Sequence, residues 1–385
     1  MKENLKTIVT EKINGINARN CWWEGPINDD TSAYKMHIAN LPKVEVILQP
    51  FQCIDISEDV AKVMINDILS KNYGVHNIAS NIESLTEDIK QGSIKPFIKF
   101  GKNGEPVACA ALVKISETDI ELGRAACVPG LNGGNADLML RAFGEWKSNN
   151  FFPDSDILRA EIRTAKPTKE VPGGQATQVI SLNKIGFKPT AMVPMFHHGV
   201  PDRQEIFLLA SIIKDRVSPP DINKPLPLSI GGKEEIKMFN IFWNKTFGQN
   251  PNFIESTPSQ PEAVHLEAQI SGPIVEIKTS QNPNQIDDVI EDFFTADGRF
   301  ALARVSMDLS VEKISAISDR LKKSGFQLAG FEPVLENNQV SIDILFGKLS
   351  EIGKRLMVLP TFTERTFSHD EENILINNSI LWRQI

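Results

Sequence analysis

DIELGRAACVPGLNGGNADLMLRAFGEW, residues Asp119–Trp146 of a 385-residue chain, changes its hydrophobic period half-way along. The first part reads as a strand, with Ile120, Leu122, Ala126 and Val128 apolar, and Pro129-Gly130 then breaks the run. From about Gly134 the spacing is helical: Met139, Ala142, Phe143 and Trp146 share one face at i, i+3, i+4 and i+7. A strand that passes through Asn132-Gly133-Gly134 directly into a helix aims several unpaired backbone N–H groups at one spot, where the helix dipole is positive. That spot suits a phosphate. The same glycines also suit an ordinary turn, so the flanking sequence has to separate the two readings.

Downstream, ILRAEIRTA (Ile157–Ala165) reads as a strand and Gln175–Ile185 as a helix. Gly186-Phe187 ends that helix before a strand pair, TAMVPMF and EIFLLASII. Upstream, Val44–Ile56 contains strand-like runs, and Ser57–Ser70 carries Val60, Val63, Met64 and Ile68 on one helical stripe. A second helix is expected over Asn81–Gln91, where Ile82, Leu85 and Ile89 recur. Pro96–Phe100 and Val107–Ile115 then form a hairpin across Gly101-Lys102-Asn103-Gly104.

In order and in residues, the span 45–213 resembles the GNAT superfamily of acyl-CoA N-acyltransferases. Val128, Pro129, Gly133, Gly134 and Ala136 stand where that family binds pyrophosphate, and Gly186-Phe187 stands at its second signature. The resemblance implies an α/β (mixed α+β) fold, a mixed, largely antiparallel sheet flanked by helices. It also implies acetyl-CoA or another acyl-CoA as cosubstrate, held by Ala126, Cys127, Val128, Gly133, Gly134, Asn135 and Ala136, and a small-molecule amine as acceptor. Two departures stand out. Leu131 or Asn132 occupies the loop opening, where the family usually has Gln or Arg, and Leu182 occupies the slot of a tyrosine that protonates the leaving thiolate.

Composition narrows the class further. A formal charge of -8, a pI near 5.4 and no Lys/Arg stripe argue against nucleic acid as a partner. Neither a signal peptide nor a run of about 18 apolar residues is present, so a cytoplasmic protein without a membrane partner is expected. Cys21, Cys53, Cys109 and Cys127 have no metal-ligand spacing and read as buried free thiols; no metal is expected. The oligomeric state stays open.

The rest of the chain divides by pattern. Residues 1–44 form an N-terminal extension, in which Cys21-Trp22-Trp23 before Gly25-Pro26 reads as an apolar patch at a turn. Four prolines and a closing Gly-Gly make 214–232 an extended linker. In 233–350, Leu321-Lys322-Lys323-Ser324-Gly325-Phe326 repeats Leu182-Asn183-Lys184-Ile185-Gly186-Phe187 without a gap, and Pro333 falls on Pro194. This second half reads as a degenerate copy of the first. It has no glycine where the strand VEIKT meets its helix, and Asp287, Asp288 and Glu291 lie near that helix start. Residues 351–385 form an apolar tail that docks on a domain.

Acyl transfer to an amine needs a held thioester, a deprotonated nucleophile and donors for the oxyanion. The strand backbone at Ala126–Val128 is the expected donor. Glu121 is the first candidate for general base, being on the strand that enters the glycine turn, and Glu161 is the second. Arg124 and Arg163 suit an acidic group on the acceptor, and His197 or His198 offers a base near neutral pH. For each, the alternative is a solvated or ion-paired surface residue. Two other readings stay open: the same fold acting on an acyl-carrier-protein donor or decarboxylating an acyl thioester, and a non-catalytic binding or scaffold protein.

Overall fold

The computed structural model describes residues 21–24, 34–38, 46–48, 57–73, 81–100, 105–128, 135–165, 174–196, 204–256, 266–271, 274–279, 286–295, 298–336, 339–363 and 365–384. The chain forms two compact units: Met1–Leu158 with Thr168–Pro172 and His198–Pro201, and Arg159–Pro167 with Gly173–His197 and Asp202–Ile385.

The first unit is built on an antiparallel sheet with strand order β3-β2-β1-β4-β5-β6. These strands are β1 (Cys21–Glu24), β2 (Tyr34–Ile38), β3 (Val46–Leu48), β4 (Ile94–Phe100), β5 (Pro106–Lys114) and β6 (Asp119–Cys127). Cys21-Trp22-Trp23 is therefore strand, paired with Ile98 and Lys99 of β4, and not a patch at a turn. Helix α1 (Ser57–Lys62) runs on through a wide π-type turn, Val63–Leu69, to Ser70–Tyr73. Helix α2 (Ile82–Lys90) is capped by Asn81, whose side chain accepts the Ser84 N–H at 3.1 Å. Val60, Met64 and Ile68 of α1 pack with Leu85 and Ile89 of α2 over Ile94, Ile98, Cys109, Ala111 and Ala126 of the sheet. Strand alternation sends Phe97 to the other face, where its ring meets Phe151 edge-on at 6.2 Å. Helix α3 (Ala136–Lys147) buries Leu138, Met139, Ala142 and Trp146, and the Trp146 indole donates to Ser155 Oγ at 2.7 Å.

The second unit has strand order β7-β9-β8-β15-β16-β14-β13-β12. Its elements in chain order begin with β7 (Ile157–Arg163, from Arg159 on), α4 (Gln175–Gln178, continuing through a π-type turn Val179–Ile185), β8 (Lys188–Phe196) and β9 (Gln204–Ile213). They continue with β10 (Leu226–Pro227), α5 (Lys233–Phe247), β11 (Phe253–Ile254), β12 (Leu266–Ser271), β13 (Ile274–Thr279), α6 (Ile286–Thr295), β14 (Phe300–Ser306) and α7 (Val311–Lys323). The last are β15 (Gln327–Glu336), β16 (Gln339–Leu349), α8 (Glu351–Leu356), β17 (Met357–Val358) and α9 (His369–Gln384). The 214–232 segment is not an extended linker: β10 pairs with β11, and Leu226 and Ile230 are fully buried. Proline bars ladder bonds at its own nitrogen but does not prevent burial.

The sequence echo has a backbone counterpart. Gly186 and Gly325 are both left-handed, at φ 95° and 80°, and Phe187 and Phe326 are both buried. The offset that takes Phe187 to Phe326 also takes the bulge at Thr190 in β8 to the bulge at Ala329 in β15. It takes Pro194 to Pro333 as well, and each proline lies opposite an isoleucine, Ile206 and Ile342, on the next strand. The two stretches join at equivalent residues, since β8 pairs with β15 antiparallel at Ala191–Gly330. Helix α5 crosses the joint: its Glu235 accepts the Leu328 N–H at 2.8 Å and its Thr246 donates to the Pro189 carbonyl at 3.2 Å. Phe239, Trp243 and Phe247 of α5 stack around Phe331 of β15, with centroids 5.1 to 5.6 Å apart. Near the C-terminal end of the chain, Leu375 and Trp382 of α9 are buried and Gln327 donates to the Leu381 carbonyl at 2.9 Å.

Candidate active site

Strand β6 is not regular. Cys109 of β5 faces Ala126, but Ala111 faces Gly123, so two residues of β6, Arg124 and Ala125, oppose Ala110 alone. This is a β-bulge. Arg124 takes the left-handed conformation, φ 51°, which a non-glycine residue adopts at a cost of about 1 kcal/mol or more. The bulge lies between Glu121 and the end of the strand at Cys127.

Glu121 folds back along its own strand. A Cβ on Gly123 would lie 2.1 Å from Glu121 Oε1, so the carboxylate occupies the space that any other residue at 123 would fill. Burial pushes the Glu121 carboxyl above the usual carboxylate range, against the pull of the Arg124 charge. A base raised this way holds a proton more tightly near neutral pH. The Arg124 Nε is buried and has no hydrogen-bond partner among the described residues.

Cys109 closes the bulge from the neighbouring strand. Its Sγ–H donates to the Arg124 carbonyl at 3.3 Å, and the Ala126 N–H points back at the sulfur. Burial pushes this thiol up to about 12, more than the Ala126 N–H and the Arg124 charge pull it down. Cys109 and Cys127 are both free, Cys109 buried and Cys127 half-buried.

The remaining predicted residues divide. Ala126 packs into the α1–α2 core, and the Val128 N–H is taken by the Val107 carbonyl at 2.9 Å. Asn135 is the N-cap of α3 but makes no capping bond with its side chain. The first intrahelical bond runs from the Met139 N–H to the Asn135 carbonyl at 3.0 Å, so the Ala136, Asp137 and Leu138 N–H groups have no acceptor within the helix. Asp137, in the first turn, is held by Lys99 at 2.8 Å. Gly133, Gly134, His197 and His198 lie outside the described residues.

In the second unit, Glu161 is exposed. Arg163 is bound by the fully buried Glu205 through two bonds of 3.0 and 2.8 Å, which commits its guanidinium to the fold. Leu182, in the tyrosine slot, is buried. A polar cavity of about 170 Å³, lined by Asp221, Lys224, Asp308 and Ser341 among others, contains none of the predicted residues. Sequence reasoning missed Gly123 and Cys109. A lone glycine inside a strand is a recognised sign of a bulge or a close approach, so Gly123 carried a usable signal. Cys109 carried none.

No described protein family matches this sequence, and no curated protein is similar to it. Solved structures similar in shape are acetyltransferases. Spermidine/spermine N-acetyltransferase from Vibrio cholerae is 14% identical over 35% of this chain and 75% of its own, with a TM-score of 0.26. Aminoglycoside 6'-acetyltransferase type Ii is 12% identical over 42% and 94%, with a TM-score of 0.30. Ribosomal-protein-alanine N-acetyltransferase from Brucella melitensis is 12% identical over 41% and 94%, with a TM-score of 0.30. Scores this low leave the fold to be read from the chain's own strand order. That order is a largely antiparallel sheet flanked by helices, in a mixed α/β chain.

Proposed function

We propose that the chain is an N-acyltransferase of the GNAT type, taking an acyl group, acetyl in the simplest case, from acyl-CoA to an amine of a small molecule. The observation that carries this reading is the bulge at Arg124–Ala125, set between a buried carboxylate, Glu121, and the N-terminus of α3. The Ala136, Asp137 and Leu138 N–H groups, without an acceptor within the helix, suit a pyrophosphate. Glu121 takes the proton of the incoming ammonium, directly or through water. The amine nitrogen attacks the thioester carbonyl, the C–N bond forms and the C–S bond breaks; the nitrogen releases its second proton to solvent, and the CoA thiolate takes one from solvent. Leu182 offers no proton at that point. The half-buried Arg124, whose Nε is buried without a hydrogen-bond partner among the described residues, suits a carboxylate on the acceptor.

The same reading takes 233–350 as a second, non-binding copy. Strands β12 and β13 pair without any register shift, and β13 also pairs with β14 from Ile274–Phe300 to Thr279–Val305. Its N–H and C=O groups are consumed on both sides, leaving none for a thioester.

Calorimetric titration of acetyl-CoA and CoA into the protein and its Gly134→Trp variant tests this. Binding by the parent and none by a folded variant is the expected result. No binding by the parent rules out acetyl-CoA as donor.

A further inference from the structure

We propose that Cys109 is a positioning residue that latches the β6 bulge in its working shape. The inference rests on the acyl-CoA reading for its consequence, but the latch itself is a statement about the strand pair.

A bulge leaves backbone groups without ladder partners, because two residues face one. Buried groups of that kind need a substitute partner or cost of order 1–3 kcal/mol each. At β6 the Arg124 carbonyl, in a residue with no register partner of its own and a left-handed φ of 51°, is such a group, and the Ala126 N–H lies beside it. One atom serves both: Cys109 Sγ donates to the first at 3.3 Å and receives the second. Only a side chain that is donor and acceptor at once, and small enough for a fully buried position, can do this. Cysteine and serine qualify, alanine and valine do not. The protonated state is required for the donor half, and burial keeps the thiol protonated across the physiological range.

The latch acts through Arg124 and Ala126. It holds the left-handed turn at Arg124, and with it the direction of the Arg124 side chain and its distance from Glu121. Strand β13 makes a useful contrast, since it pairs regularly with β12 and has no bulge to hold.

Amide hydrogen exchange of the segment Leu122–Val128 tests the latch in Cys109→Ala and Cys109→Ser, with thermal unfolding of each variant recorded alongside. Exchange is expected to speed roughly tenfold in Cys109→Ala, and to return to within about twofold of the parent in Cys109→Ser. Acetyl-CoA affinity should follow the same order. Equal exchange in all three proteins overturns the latch, as does equal loss in both variants. Faster exchange in Cys109→Ala with unchanged acetyl-CoA affinity overturns the positioning role. A parent that binds no acyl-CoA overturns the functional reading and the positioning role with it, while the exchange rates still decide the latch. Should Cys109→Ala fail to fold, Cys109→Ser alone decides: parent-like exchange and binding support the latch, and exchange speeded as far as ten times the parent's overturns it.

Discussion

At the scale of residues, Glu121 and Gly123 act as a pair, and two substitutions separate their roles. Replacing Glu121 by Gln removes the proposed base, so transfer to the amine should fall by roughly 10²-fold or more while acyl-CoA binding persists. The stability sign is opposite. The folded state holds the Glu121 proton more tightly than the unfolded chain, whose carboxyl titrates near 4.5. Stability therefore drops as pH rises from about 4.5 through the raised folded value, and E121Q escapes that loss. Its melting temperature should exceed the parent's at pH 7 to 8, with the difference vanishing below the unfolded value. Gly123→Ala should keep its melting temperature, because the atom in the way is the mobile end of a side chain, yet lose activity by roughly tenfold as the carboxylate is displaced. Parallel melting curves and rates check both. That Glu121 stands on a strand was legible from sequence, through the apolar positions around it. Gly123 hinted at the bulge, but a bulge is a property of two paired strands, and DIELGRAAC alone does not say how β5 will register against it.

At the scale of elements, α2 was legible to within about a residue because its periodicity is local, whereas α1 runs to Tyr73, three residues past the expected Ser70. Helix α2 ends at Lys90, where the spacing of apolar residues and the following Gly92 place it. What failed was local signal without context: Cys21–Glu24 is too short to show alternation, and the prolines of 214–232 hid two buried side chains. Nor could sequence show how Arg159 of β7 and Arg304 of β14 converge on Glu332 of β15. Burial pushes the Glu332 carboxyl up, but the two guanidiniums outweigh it and hold it down to about 2. The joint between β8 and β15 yields the clearest test at this scale. Gly330 has φ 138°, and a Cβ there would meet the Thr190 carbonyl oxygen at 2.4 Å and Ala191 Cα at 2.6 Å. These are backbone atoms and cannot swing away. Gly330→Ala should cost about 2 kcal/mol or more, measured by urea unfolding, whereas Gly325→Ala, strained in φ but meeting only the flexible Lys348 side chain at 3.5 Å, should cost about 1.

At the scale of the whole molecule, the repeat predicts how many ligands one chain takes. A thioester carbonyl and the amides of its pantetheine arm need backbone groups that the sheet has left unused, and a phosphate needs a helix start that backbone can approach closely. In the first stretch a bulge interrupts the β5–β6 ladder, and the Ala136, Asp137 and Leu138 N–H groups of α3 have no acceptor within the helix. Strand β13 has no such interruption: six consecutive residues pair with β14, six with β12, and no register shift breaks either ladder. On the reading of 233–350 as a second copy, Gly-Phe, the bulge and the proline opposite isoleucine recur, whereas Gly133-Gly134 has no counterpart in its sequence. Titration should therefore give one acyl-CoA per chain, not two, and Gly134→Trp should take that number to zero. A measured stoichiometry of two, or one surviving site in Gly134→Trp, would mean that β13 opens in solution and that the second copy binds after all.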